Sequence, residues 1–80
     1  MSNEKIYGNL KFFKFDKGYG FITVLGENRD VFVHAKDLKN SGIPVVESDL
    51  PNGTPFVFEE IDNNGRSMAS NLEIDNGQVD

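Results

Sequence analysis

Twice between Lys17 and His34 the chain alternates with a period of two residues, and no other feature limits its fold so tightly. From Lys17 to Val24, the residues Gly18, Gly20, Ile22 and Val24 fall on one side and Lys17, Tyr19, Phe21 and Thr23 on the other. After a turn at Gly26, Glu27 and Asn28, the pattern repeats: Val31 and Val33 oppose Asp30, Phe32 and His34. This is the side-chain period of a pleated strand, not of a helix. The aliphatic side is the core side, so Tyr19, Phe21 and Phe32 are left on an outer face among polar neighbours.

Three more runs read as strands. Lys5 to Phe13 places Ile6, Gly8 and Leu10 inward and Lys11 and Phe13 outward; strict alternation sends Phe12 inward, so an outward Phe12 requires a bulge or strong local twist. Pro55 to Ile61 and Met68 to Ile74 flank Asp62-Asn63-Asn64-Gly65 and read as a hairpin with Phe56 and Phe58 turned to the core. The connection over 35–54 carries Gly42, Pro44, Pro51 and Gly53, and only Ala35 to Lys39 suits a helical turn. A link of that length is expected to be functional or mobile rather than packed. Five short strands without an amphipathic helix predict an all-β, closed or nearly closed five-stranded antiparallel barrel over residues 1–74, followed by a frayed polar tail at 75–80.

The 80 residues suffice for one domain with a modest core. There is no cysteine, hence no disulfide framework and no thiolate metal site, which suits a reducing compartment. The first ten residues lack the apolar segment of a secretory signal and no stretch is apolar enough to span a bilayer, so a soluble cytoplasmic protein with no membrane partner is expected. The net charge of -5 argues at first against a nucleic-acid partner. It is unevenly spread: residues 1–40 sum to +2 and residues 41–80 to -7, and Lys11, Lys14 and Lys17 lie among Phe12, Phe13, Phe15 and Tyr19.

Aromatics in a small domain usually fill its core. For Tyr19, Phe21 and Phe32 that place is already taken by the aliphatics beside them, and clustered exposed rings mark a binding surface. On a sheet such rings form platforms for unpaired bases, each stack being worth about 1–3 kcal/mol, while lysines at the rim meet phosphates and make affinity salt-dependent. Gly18 and Gly20 are then expected to let a bent strand pass close to its neighbours while the rings stay clear.

The segments Gly8-Asn9-Leu10-Lys11-Phe12-Phe13, Lys17-Gly18-Tyr19-Gly20-Phe21-Ile22 and Asp30-Val31-Phe32-Val33-His34 resemble the cold-shock domain, with its two ribonucleoprotein-type motifs in order. Leu50-Pro51-Asn52-Gly53 before Phe56-Val57-Phe58-Glu59, and Ala69-Ser70-Asn71-Leu72, are similar to its fourth and fifth strands. The resemblance implies an oligonucleotide-binding (OB-fold) barrel that binds single-stranded RNA and DNA, pyrimidine-rich by preference, and acts as an RNA chaperone in stress responses. Carried over by position, the binding face is Lys11, Phe12, Lys17, Tyr19, Phe21, Asp30, Phe32, His34 and Arg66, with His34 stacking on a base or hydrogen-bonding to it. Departures stand at Phe12, where the family usually has tryptophan, and at Ala35 and Ile43, where aromatics are common. Weaker binding or a shorter footprint is expected. The link before Leu50 is longer than usual and carries Val45, Val46 and Glu47.

An RNA-recognition motif shares the KGYGF signature but needs two amphipathic helices and an upstream partner motif, for which the 16 residues before Lys17 leave no room. A protein-interaction module using the same aromatic face stays open, the acidic second half suiting a basic partner. No nucleophile and base, metal-ligand cluster or phosphate-binding glycine loop points to an enzyme or to a cofactor. A monomer is expected.

Overall fold

The computed structural model describes residues 5–75 and makes neighbours of the two alternating runs. The strands are β1 (Ile6–Lys14), β2 (Tyr19–Val24), β3 (Asp30–His34), β4 (Pro55–Asn63) and β5 (Arg66–Ile74), with a short helix α1 (Ala35–Asn40) and a 3-10 turn at Glu47–Asp49 between β3 and β4. They close into a barrel in the order β1-β2-β3-β5-β4. Four seams are antiparallel; the β3–β5 closure is parallel and registers only Phe32 against Met68. Apart from Asp75, the tail expected at 75–80 lies outside the described residues.

Burial follows the alternation. Ile22, Val24, Val31 and Val33 are buried, as are Phe56 and Phe58 on β4 and Ala69 and Leu72 on β5. Strand β1 departs from the expected pattern at one place. Its register against β2 runs from Leu10 opposite Ile22 to Phe12 opposite Phe21, skipping Lys11, which is a β-bulge. Lys11 and Phe12 therefore both face outward, and the next residue, Phe13, turns inward with only 7% exposure. The outward placement of Phe13 is thus corrected: once the bulge moves Phe12 out, the period of two returns Phe13 to the core.

Gly20 sits where the bulged strand presses closest. A Cβ there would lie 2.4 Å from the Phe12 carbonyl oxygen and 2.6 Å from Phe13 Cδ2. Gly18 does something different: it lies in the turn before β2 with φ +80, the left-handed conformation that glycine adopts freely. At the far hairpin, Asn64 and Gly65 have φ +56 and +82, the two-residue arrangement whose twist matches the flanking strands. Asp62 and Asn63, read as part of the turn, belong to β4 instead.

The 35–54 connection is packed, against the expectation of a functional or mobile link. Leu38, Ile43 and Leu50 are all buried in the barrel core, and Val45 packs against it while Val46 stays 45% exposed. The Ser41 hydroxyl accepts the Leu72 N–H at 3.0 Å, tying the end of α1 to β5. Spaced apolar residues outweigh the Pro and Gly content here, because each buried aliphatic contributes about 1.5–3 kcal/mol. A second brace supports the short parallel seam: Arg29, just before β3, donates from Nη1 and Nη2 to the two carboxylate oxygens of Glu60 on β4, at 2.6 and 2.8 Å.

Candidate nucleic-acid interface

The outward residues of β1, β2 and β3 stand side by side because the register places them so. Phe12 opposes Phe21, Phe21 opposes Phe32, and Tyr19 opposes His34. Their rings make one continuous cluster, with centroid separations of 5.6 Å for Phe12–Phe21, 5.6 Å for Phe21–Phe32, 5.8 Å for Tyr19–Phe32 and 6.4 Å for Phe32–His34. Tyr19 and Phe32 stack nearly parallel, at 20°, and Phe21 meets both edge-on. Phe12, Tyr19, Phe21 and Phe32 are each half-buried: held at the base by neighbours, open above.

Cations border this row. The Arg66 guanidinium, at the start of β5, lies over the Phe32 ring at 5.2 Å, and the Lys14 ammonium lies over Phe12 at 5.6 Å. Such cation–π contacts are worth about 0.5–1 kcal/mol at exposed sites. Arg66 and Ser67 close one side of a shallow cleft over Tyr19, Phe21 and Phe32. Asp30 lines the same cleft, where it accepts a hydrogen bond from Lys11 Nζ and another from the Thr23 hydroxyl, each at 3.0 Å. Lys11 first and Thr23 second hold the Asp30 carboxyl below the usual carboxylate range. The cation at position 11 is thus oriented by an acid.

His34 ends β3 and also starts α1. Its Nδ1 accepts the Lys36 N–H at 3.0 Å, satisfying one of the free donors at the head of that helix. With Nδ1 an acceptor, the neutral ring carries its proton on Nε2, where it is available to donate.

Of the residues expected at the site, Phe12, Tyr19, Phe21, Phe32, His34, Arg66, Lys11 and Asp30 come together. Lys17 is exposed in the turn before β2, and among the described residues no ring or acid contacts its ammonium. Ile43, expected to mark a missing platform, is a core residue with 7% exposure. Ala35 packs against the core beside Gly18, whose carbonyl accepts its N–H. Lys14 joins the site without having been expected there; past the bulge it shares the outer side with Phe12, and that period-two relation was the available signal. Ser67 carries no comparable signal, because its place in the cleft depends on the barrel closing.

The family model described as the 'Cold-shock' DNA-binding domain matches residues 6–74. The "Major cold shock protein CspA" of Bacillus cereus is 39% identical over 67 residues, 84% of this chain and 92% of the relative. The "Cold shock protein CspA" of Staphylococcus aureus is 37% identical over 65 residues, 81% of this chain and 91% of the relative. The "Cold shock-like protein" of Aquifex aeolicus is 34% identical over 67 residues, 84% of this chain and 90% of the relative.

Proposed function

The chain belongs to the cold-shock domain family, and from that premise we propose that it binds single-stranded RNA and DNA on the β1–β2–β3 face and acts as an RNA chaperone. One observation carries the reading: four half-buried rings in contact on the outer face of a barrel whose core is already filled by aliphatics and other phenylalanines. Core packing gives no reason for those rings to be there. Bases stacking on them do.

Energetics favour melting of weak structure only. Four platforms at about 1–3 kcal/mol each supply at most roughly 4–12 kcal/mol of gross stacking, from which association and ordering costs are subtracted. A duplex step is worth about 1.4 kcal/mol. The remainder suffices to hold open a hairpin of a few base pairs, by mass action on the unpaired state, and leaves a long duplex intact. Stacking tolerates any base, and a modest pyrimidine preference fits the single-strand mode. The protein acts as a monomer in the cytoplasm under this reading; no helix among the described residues is long and apolar enough to cross a membrane.

Titration of tyrosine emission with a short oligothymidine, at low and then moderate salt, tests this. The expected result is saturable quenching that weakens as salt rises, since phosphate contacts release counterions. A folded sample that responds to neither oligothymidine nor its RNA counterpart refutes the reading and leaves a protein partner for the aromatic face.

A further inference from the structure

Phe12 belongs to the aromatic row through its contact with Phe21 and also borders a second concavity. That concavity is an open cleft lined by Phe12, Lys14 and Phe15 together with Glu47, Pro51 and Asn52 of the long connection. We infer that this second cleft is a nucleobase subsite that prefers a base bearing an exocyclic amine, cytosine in a pyrimidine tract, over thymine or uracil. The inference rests on the single-strand reading and extends it to a position and a base.

Three observations converge on it. First, the cleft continues the row: a strand running over Phe32, Phe21 and Phe12 arrives at its mouth, where the Lys14 ammonium already lies over Phe12. Second, its walls are fixed without a ligand. Phe15 rests on buried Phe13 at 4.9 Å, and the far wall is anchored by buried Leu50. The Gly53 N–H donates to the Leu10 carbonyl at 2.7 Å and the Leu10 N–H to the Thr54 carbonyl at 2.8 Å, binding the loop to β1, while the Thr54 hydroxyl donates to the Pro51 carbonyl at 2.6 Å within the loop. Third, the polar groups are selective. Glu47 presents a carboxylate, which only accepts hydrogen bonds; it suits the N4 amine of cytosine and is repelled by the O4 carbonyl that thymine and uracil hold at the same place. Asn52 offers both a donor and an acceptor and can serve the remainder of the base edge.

A bond to one exposed carboxylate falls at the low end of base discrimination, about fivefold in affinity.

The test uses heptathymidine and a set of heptamers carrying one deoxycytidine at each successive position, titrated against the wild type and Glu47→Gln. The expected result is tightening by about fivefold at one terminal position only. In Glu47→Gln, whose neutral amide can donate to a thymine carbonyl, heptathymidine binds more tightly and the positional preference disappears. Equal affinity for every heptamer in the wild type overturns the inference while leaving the aromatic-face reading intact. General repulsion by Glu47 would instead tighten all heptamers alike in the variant without any wild-type preference, and that too overturns it. Amide spectra supply the second readout: shifts at Asn52 and Phe15 on addition of the preferred heptamer support the subsite, and shifts confined to Tyr19, Phe21 and Phe32 refute it. No binding of any heptamer defeats both readings together.

Discussion

Replacing Phe32 by alanine separates a platform from a core residue. The ring lies on the outer side of β3, between buried Val31 and Val33, and its ring and cation neighbours include Tyr19, Phe21, His34 and Arg66. An aromatic pair adds about 0.5–1.5 kcal/mol beyond buried area. With two close ring neighbours and a half-exposed position, the loss of fold stability should be about 1–2 kcal/mol. A truly buried phenylalanine would lose about 3–5 kcal/mol. Binding should fall by about 1–3 kcal/mol for one lost stack, roughly 5- to 150-fold. The salt slope should stay where it is, because no phosphate contact is removed. Paired oligothymidine titrations at two salt concentrations and a urea melt measure all three quantities. Destabilisation in the core range, or unchanged affinity in a folded variant, would refute the platform argument. A flattened salt slope would show that Arg66, deprived of its ring, had been the principal partner of the strand.

Lys17→Ala should weaken binding to all sequences alike and reduce the salt slope by about one phosphate; an unchanged slope removes this exposed turn lysine from the contact surface. The bulge predicts opposite outcomes for adjacent residues: Phe13→Ala should lose about 3–5 kcal/mol of stability, whereas Phe12→Ala should chiefly lose affinity, as separate melts and titrations will show. The hydrogen bonds from Arg29 hold Glu60 below the usual carboxylate range, with Ser67 contributing further. A depressed folded-state value means that the pair's stabilisation is present above the unfolded carboxylate range and is lost as pH falls through the folded one. The melting temperature of the wild type should therefore drop more steeply with acidification than that of Glu60→Gln; parallel curves would refute the brace.

Alternation makes most of the site legible in the sequence. In β2 and β3, aliphatics and aromatics separate by parity alone, so the outer positions of Tyr19, Phe21 and Phe32 come from counting. Counting fails at Phe13 because a bulge shifts parity by one, and the sequence signals a bulge only through its consequence, an outward ring at Phe12. The connection misleads for a different reason. Pro44, Pro51 and Gly42 argue locally against regular structure, but Leu38, Ile43 and Leu50 are buried by the barrel as a whole, and that long-range packing has no local signature. The same limit hides the pairing of Lys11 with Asp30 and of Arg29 with Glu60, which join positions distant in sequence. Position alone is a poor guide at Ile43, where a residue expected to represent a lost stacking surface contributes to the core.

The two glycines of the KGYGF segment can be separated by experiment, since their reasons differ. At Gly20 an added Cβ lies 2.4 Å from the Phe12 oxygen and 2.9 Å from the Phe13 Cα, both backbone atoms, so no rotamer change relieves it. It falls about 1 Å short of ordinary carbon contact. Strands β1 and β2 must separate at the bulge, at an overpacking penalty of about 1–3 kcal/mol. Because Phe12 and Phe21 are neighbours across that same seam, Gly20→Ala should lower oligonucleotide affinity as well as stability. Gly18→Ala meets no obstacle nearer than the Ala35 Cβ at 3.8 Å and suffers only from φ +80, a strain of about 1–2 kcal/mol. It should lower the melting temperature and leave affinity for oligothymidine near wild type. If Gly20→Ala folds and binds as the wild type does, close approach at the bulge does not set the spacing of the rings. If Gly18→Ala loses affinity as strongly as Gly20→Ala, the turn rather than the seam positions them.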